Sequence, residues 1–94
     1  MLTSKQRAFL RAMANDLSPI FHVGKSGVTP ELVESIQNAL QARELIKCNV
    51  LDNCMLSAKE AAVMLSERTR SDVVQVIGNR FVLYKAAKKL VIEL

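Results

Sequence analysis

Hydrophobic residues in the first part of the chain follow a helical repeat and then form a short extended run. Residues 3–17 carry apolar side chains three and four positions apart, which predicts a helix with Thr3 as its N-cap. The predicted apolar stripe consists of Phe9, Leu10, Met13 and Leu17. Pro19 ends this helix, because proline disfavours a helical conformation in the residue before it. The apolar residues 20–23 then predict a buried strand.

A second helix and a second strand follow. Thr29 is a favourable N-cap, and Pro30 occupies the first helical position, where its missing amide hydrogen costs nothing. One apolar stripe along this helix is formed by Leu32, Val33, Ile36, Ala39 and Leu40. Residues 45–51 alternate instead, with Ile46, Cys48 and Val50 on one face and Lys47 and Asn49 on the other. This two-residue repeat predicts a half-buried strand.

The remaining sequence predicts a third helix and a hairpin. Ser57 and Glu60 have the spacing of a capping box, which starts the helix. The runs 73–77 and 81–84 are separated by a glycine–asparagine pair at 78–79, which is typical of a type II′ hairpin turn. Residues 85–94 are basic and then apolar, and this pattern fits both a longer strand and a short helix.

These elements give the order α-β-α-β-α-β-β. The chain has 94 residues, which is the size of one domain, so we expect a single domain over residues 1–94 with 85–94 as an undecided tail. The first β-α-β unit predicts two parallel strands, and the terminal hairpin adds an antiparallel pair. We therefore expect a small α/β domain in which helices pack on a mixed four-stranded sheet.

Composition and charge narrow the classes of function. The net charge is +4, which favours a polyanionic partner. No apolar run approaches the roughly 20 residues that span a bilayer, so we expect no membrane association and a cytoplasmic location. With only Cys48, Cys54 and His22 as cysteine and histidine, the sequence lacks a four-ligand zinc set. We expect neither a metal nor another cofactor.

A glycine-flanked turn is the sharpest local feature. Gly24, Lys25, Ser26 and Gly27 stand between the first predicted strand and the second helix. Exposed amides of such a turn, the positive end of the helix and the lysine ammonium together suit a phosphate group. The spacing is neither that of a Walker A loop nor that of a dinucleotide fingerprint. An ordinary strand-to-helix turn is the alternative interpretation.

Basic residues near this turn favour the phosphate interpretation. We expect one set to converge on a single edge of the domain: Lys5, Arg7, Arg11, Lys25 and Lys47. A second basic set, with no acidic residue between its members along the chain, comprises Arg80, Lys85, Lys88 and Lys89. Because the chain has three Phe, one Tyr and no Trp, phosphate contacts rather than base stacking should dominate, and binding should depend strongly on salt. The alternative is that these charges only solvate the surface.

The residues give little support to catalysis. His22, between two apolar neighbours, is expected to be a structural histidine, because no helping carboxylate is evident. Cys48 falls on the apolar face of its strand, and Cys54 has no base beside it in the sequence. We therefore expect no enzyme.

Several of these motifs, in this order, resemble a known family. The run 19–29, followed by the pairs and stretches 39–40, 44–47, 76–80 and 83–85, is similar to the CRM domain, named for chloroplast RNA splicing and ribosome maturation. The free-standing, YhbY-like bacterial members are the most similar. The resemblance implies a fold like the C-terminal domain of bacterial translation initiation factor three. It also implies RNA binding through the loop Gly24–Gly27, with Lys47 and Arg80 as helpers.

The same resemblance implies a partner. It points to ribosomal RNA and the pre-50S particle during assembly of the large subunit. Separately, we expect the protein to be a monomer. The last strand commonly ends in arginine in the family, whereas this chain has Lys85, so bidentate geometry is lost there. Two alternatives stay open from the residues: a KH-like binder of single-stranded RNA, and a protein-interaction module that docks on a ribosomal or assembly factor. KH loops join two helices, so the structure of residues 20–23 distinguishes the first alternative.

Overall fold

The computed structural model describes residues 2–87, 92 and 94, and this part of the chain contains three helices and four strands. The helices are α1 (Ser4–Ala14), α2 (Pro30–Arg43) and α3 (Ala58–Thr69). The strands are β1 (Phe21–Val23), β2 (Leu45–Val50), β3 (Asp72–Ile77) and β4 (Arg80–Tyr84). The predicted element order is confirmed. Of the tail predicted to be a strand or a helix, 88–91 and 93 lie outside the described residues.

Four strands form one mixed sheet in the order β1-β2-β4-β3. β1 runs parallel to β2, whereas β4 is antiparallel to both of its neighbours. At one end of the sheet, β1 and β2 finish and β4 starts. We call this the loop end, because the turn 24–27 follows β1 there. The opposite end, where Leu45 pairs with Tyr84, is called the far end. The two ends are separated by roughly 17 Å along β2, at about 3.3 Å per residue.

Helices cover the two faces of the sheet unequally. On one face, α2 and α3 enclose a core that includes Ile36, Leu40, Leu65, Phe81 and Leu83. On the other face α1 packs Leu10 and Ala14 on a smaller cluster with residues of β2, β3 and β4, among them Leu45, Val74 and Tyr84. Because α1 lies over the far half of the sheet, part of this second face remains open at the loop end.

Helix α1 differs from its prediction in length and in part of the face that it buries, because only Leu10 of the predicted stripe is buried. Leu10 and Ala14 are its buried residues, while Phe9 is 48% exposed and Met13 and Leu17 are each 37% exposed. The prediction gave weight to large apolar side chains. Instead the contact centres on a leucine and an alanine four positions apart, which share a face of the helix. The helix ends at Ala14, before the predicted limit.

Capping side chains mark the helix starts where the sequence predicts them. The Thr3 hydroxyl accepts from the Gln6 amide, and the Thr29 hydroxyl accepts from the Leu32 amide. Ser57 and Glu60 form the predicted capping box, each accepting from the other's backbone amide. The hydrogen bonds from Ser57 lower the pKa of the Glu60 carboxyl. Within the described residues, no helix is long and apolar enough to cross a membrane.

Glu44 closes the far end of the domain. It follows α2 with φ of 63°, a left-handed conformation that glycine prefers, and its side chain is 0% exposed. One carboxylate oxygen accepts from the Ala87 amide at 2.6 Å, and the other accepts from the Ile92 amide at 2.5 Å. Its backbone carbonyl accepts from the Lys85 amide. The chain after β4 is therefore tied to the end of α2.

Candidate nucleic-acid interface

The turn between β1 and α2 is closed by one hydrogen bond, in which the Gly27 amide donates to the Gly24 carbonyl at 2.9 Å. Lys25 and Ser26, at its tip, are exposed. Gly27 has φ of 67°, so its position favours glycine. A Cβ on Gly24 would meet Leu51 at 3.5 Å, an ordinary contact. Only the second glycine is required by the backbone of the turn.

Backbone amides at the tip are available to a ligand. Among the residues that the structure describes, the amides of Lys25, Ser26 and Val28 donate to no protein acceptor. The turn opens into a shallow cavity of about 390 Å³ that the first turn of α2 also lines. Amides, helix dipole and the Lys25 ammonium therefore point to an anion such as a phosphate.

Glu31 lies in the same cavity and opposes this attraction. It is exposed in the first turn of α2, where a carboxylate interacts favourably with the positive end of the helix. A phosphate held by the turn would share that end of the helix with a like charge. Glu31 is thus a residue of the site that the sequence pattern did not predict.

Two further segments meet the turn at the loop end of the sheet. The Leu51 amide, just after β2, donates to the Val23 carbonyl at 2.9 Å. The Val50 amide donates to the carbonyl of Asn79, in the β3–β4 hairpin, at 2.7 Å. Gly78 in that hairpin has φ of 57°, as the predicted type II′ turn requires of its glycine. Arg80, the first residue of β4 after the hairpin turn, is thereby brought to the same end of the sheet as Lys25.

Lys47 and Arg80 lie together on the open part of the second face. Both line a cavity of about 130 Å³, whose margin is formed by Asn15 from the end of α1. Residues of β3 and β4 complete it, namely Gln75, Ile77, Phe81 and Val82. The cations predicted as helpers of the loop thus share one surface, which adjoins the loop end.

Comparison with known proteins identifies the family. Residues 2–85 match the CRS1/YhbY (CRM) domain. The chain belongs to this family. The Bacillus subtilis protein YqeI, named a probable RNA-binding protein, is 51% identical over 89 residues, covering 95% of this chain and 93% of that protein. An RNA-binding protein of Haemophilus influenzae is 32% identical over 93 residues, with 99% and 94% coverage. The solution structure of SAV1595 from Staphylococcus aureus has a TM-score of 0.80 at 46% identity, with 95% and 93% coverage.

The topology of this CRM domain excludes the KH-like alternative. The glycine turn follows β1 and precedes α2, so it joins a strand to a helix rather than two helices. The expected similarity in fold is confirmed at the level of the small α/β domain.

Lys5 and Arg7, two of the predicted basic residues, are not at the loop end of the CRM domain. Lys5 lines a groove with Leu94, near the far end. The Arg7 guanidinium donates to the carbonyls of Val73 and Val74, where β3 is bulged against β4. The prediction that both residues converge with Lys25 on one edge is wrong, because the first half of α1 lies over the far half of the sheet.

Lys85 also serves the fold at the far end. Its ammonium donates to the Thr69 carbonyl, the last residue of α3, at 3.0 Å, which complements the negative end of that helix. Arg80 and Lys85 therefore lie at opposite ends of β4. Lys88 and Lys89, the other members of that predicted basic set, are outside the described residues.

Arg11 is placed between the two regions. It is exposed on α1, four positions from Arg7 and four from Asn15, so the three share one side of the helix. Since Arg7 reaches the β3 bulge and Asn15 borders the cavity around Lys47, Arg11 flanks that open surface. It stays a candidate for a phosphate contact.

The cysteines and the histidine differ in their surroundings. Cys48 is 0% exposed, as predicted, and burial raises the pKa of its thiol to about 12. Cys54 is half-buried and its sulfur accepts from the Leu56 amide at 3.4 Å. His22 is exposed, so the prediction of a structural histidine is wrong. In the described ranges, no group of three or more potential metal ligands comes together.

Proposed function

We propose that this protein binds RNA without catalysing a reaction, and that the turn 24–27 holds a phosphate of the RNA backbone. Membership of the CRM family supports RNA as the partner, and so do the names of the relatives from Bacillus subtilis and Haemophilus influenzae. The observation that carries the site is the turn itself. Its free amides, the start of α2 and the exposed Lys25 surround one cavity.

Cations on the adjoining sheet face extend the contact. Lys47 and Arg80 lie on one open surface, and Arg11 flanks it. An RNA backbone held at Lys25 can therefore continue across that face of the sheet. Phosphate contacts of this kind release counterions and make affinity depend on salt. With two or three such contacts in addition to Lys25, we expect a slope of log K against log salt of about −2 to −4.

The cellular setting follows the family resemblance. We propose that a monomer acts in the cytoplasm on ribosomal RNA within pre-50S particles, during assembly of the large subunit. Sedimentation of cell extracts tests this setting: the protein should migrate with pre-50S particles and leave that fraction after ribonuclease treatment. Comigration that survives complete RNA digestion would contradict it and would favour docking on a protein.

Matched lysine variants test the binding site. Purified 23S ribosomal RNA is titrated with wild type, Lys25→Ala and Lys5→Ala, at about 50 and 200 mM salt. Lys25→Ala should bind several-fold more weakly and reduce the salt slope by about 1, because one phosphate contact is lost. Lys5→Ala removes the same charge at the far end and should behave as wild type. Equal affinities for the two variants would overturn the proposed site.

A backbone variant tests the turn separately from its charge. Gly27→Asp adds a carboxylate and a Cβ at φ of 67°, where a side chain is strained. Aspartate tolerates this conformation better than most residues, and circular dichroism verifies that the domain folds. We expect binding to fall further than in Lys25→Ala, because the new charge repels the phosphate. A folded Gly27→Asp with wild-type affinity would contradict the proposal.

A further inference from the structure

A row of side chains crosses all four strands at the loop end. Strand pairing places His22 beside Asn49, Asn49 beside Arg80, and Arg80 beside Ile77. His22, Arg80 and Ile77 are exposed, and Asn49 is half-buried. Residues paired across strands point to the same face, and here it is the one on which α1 packs. Three strand spacings of about 4.8 Å make the row roughly 14 Å wide.

A second row lies one step towards the far end. It consists of Lys47, Val82 and Gln75, which are paired across β2, β4 and β3. The β3 bulge between Val73 and Gln75 sets this register, so that Val74 packs under α1 while Gln75 lines the open cavity.

The chemistry of this open surface is that of amides and cations. Asn15, Asn49 and Gln75 each carry a group that both donates and accepts hydrogen bonds. Among the described residues that line the 130 Å³ cavity there is no carboxylate. His22 belongs to the row and also lines the cavity of the glycine turn, so the two surfaces are continuous.

Few aromatic rings of the described residues reach the open surface. Phe81 and Tyr84 are 1% and 5% exposed. Phe21 is half-buried: it packs against the core under α2 and α3 and also lines the cavity of the glycine turn. Phe9 is exposed, but on α1 in a groove with Leu94 near the far end. Proteins that bind single strands stack successive bases on aromatic side chains. Among the described residues, the cross-strand rows offer one ring for this, the imidazole of His22, and no Phe or Tyr ring. The chain has no Trp.

A double-stranded RNA fits these properties better than a single strand. The minor groove of an A-form helix is wide and shallow and displays 2′-hydroxyls, which donate and accept as amides do. We propose that the cross-strand rows, through Asn49 and Gln75, contact the 2′-hydroxyls of an RNA double helix, while the glycine turn holds a phosphate at its border. This inference rests on the proposed function, and it names the class of RNA bound.

The inference is tested by measuring the affinity of the protein for three nucleic-acid probes of equal length, by fluorescence anisotropy at matched salt. The first is an RNA hairpin with a 14-base-pair stem, the second a DNA hairpin of the same stem sequence, and the third an unstructured A- and C-rich RNA. We expect the RNA hairpin to bind about tenfold more tightly than each of the others. Loss of one hydrogen bond, worth about 1 kcal/mol, corresponds to roughly fivefold in affinity.

Amide variants then locate the discrimination. Asn49→Ala combined with Gln75→Ala should weaken binding of the RNA hairpin about tenfold or more and leave binding of the DNA hairpin unchanged. Asn38→Ala, an exposed amide on the outside of α2, is the matched control and should have no effect. Thermal unfolding of each variant verifies that the sheet is intact.

The outcomes separate this inference from the proposed function. Tighter binding of the unstructured RNA, with Lys25→Ala still harmful, would overturn the double-helix inference and leave the phosphate site standing. Equal loss of RNA and DNA hairpin binding in the double amide variant would also overturn it, because no 2′-hydroxyl would be read. Salt-independent binding of all probes, indifferent to Lys25→Ala, would overturn the proposed function itself.

Discussion

The carboxylate of Glu44 accepts a hydrogen bond from the backbone amide of Ala87 at 2.6 Å, although 43 positions separate the two residues. The same carboxylate also accepts from Ile92, whose side chain is 8% exposed in the cluster beneath α1. A buried carboxylate is stabilised by charge-assisted hydrogen bonds of this kind. Glu44 thus links the end of α2 to the chain that follows β4 and to the packing of α1.

Replacing Glu44 should release this segment. Glu44→Ala leaves two amides without their acceptor, and we expect the free energy of unfolding to fall by about 2–4 kcal/mol. Glu44→Gly loses the same hydrogen bonds but relieves the backbone at φ of 63°, so it should be about 1 kcal/mol more stable than the alanine variant. Urea unfolding measures both.

Exposed Glu34, within α2, provides the control. Glu34→Ala should change the unfolding free energy by less than about 0.5 kcal/mol. In wild type, the amides of Ala87 and Ile92 should exchange slowly with deuterated solvent, and in Glu44→Ala they should exchange at close to the rate of an unfolded chain. Slow exchange that persists in the alanine variant would show that other contacts hold the segment.

Arg7 is expected to stabilise the fold rather than bind RNA. Its guanidinium donates to two carbonyls at the β3 bulge, so Arg7→Ala should cost about 1–3 kcal/mol of stability. Affinity for 23S ribosomal RNA should stay within about twofold of wild type, measured below the lowered melting temperature. Arg11→Ala, one turn further along, is the matched variant: it should keep stability and weaken RNA binding. The reverse pattern would return Arg7 to the interface.

Local signals in the sequence predict most of the fold. Thr29 with Pro30, and Ser57 with Glu60, mark helix starts because the capping chemistry depends on neighbours within one turn. The alternation through β2 is predicted because successive side chains point to opposite faces, one in the core under α2 and α3 and the other partly open. The buried face of α1 is predicted only at Leu10, since the contact through Ala14 depends on how closely the helix approaches the sheet.

The candidate site is predicted in part for the same reason. The turn 24–27, with Lys25 at its tip, is visible as a contiguous motif. The strand order decides which distant cations lie near the turn. Because β4 lies between β2 and β3, Arg80 is at the loop end and Lys85 is at the far end. Asn49 and Gln75 carry no signal of their own. They become a row only through the register of β2, β4 and β3.

Burial of Cys48 predicts a pH-dependent loss of stability. Its folded pKa of about 12 lies above the value of about 8.5 in an unfolded chain. Above pH 8.5 the unfolded state therefore releases a proton that the folded state keeps, and stability falls as pH rises. We expect about 1 kcal/mol to be lost between pH 8.5 and 9.5 in wild type and in Cys54→Ala. Cys48→Ala should lack this loss, although its overall stability is lower; an unchanged slope would contradict the assignment.

Glu31 is expected to weaken RNA binding at the glycine turn. It lines the same cavity as Lys25 at the start of α2, so its carboxylate repels a phosphate held there. Glu31→Gln should raise the affinity for 23S ribosomal RNA by about two- to fivefold at low salt, and the gain should shrink at high salt because the repulsion is screened. Glu67→Gln removes the same charge from an exposed position late in α3 and should leave affinity unchanged apart from the small effect of net charge. An equal gain in both variants would mean that only net charge matters, and no gain in Glu31→Gln would place the phosphate away from this turn.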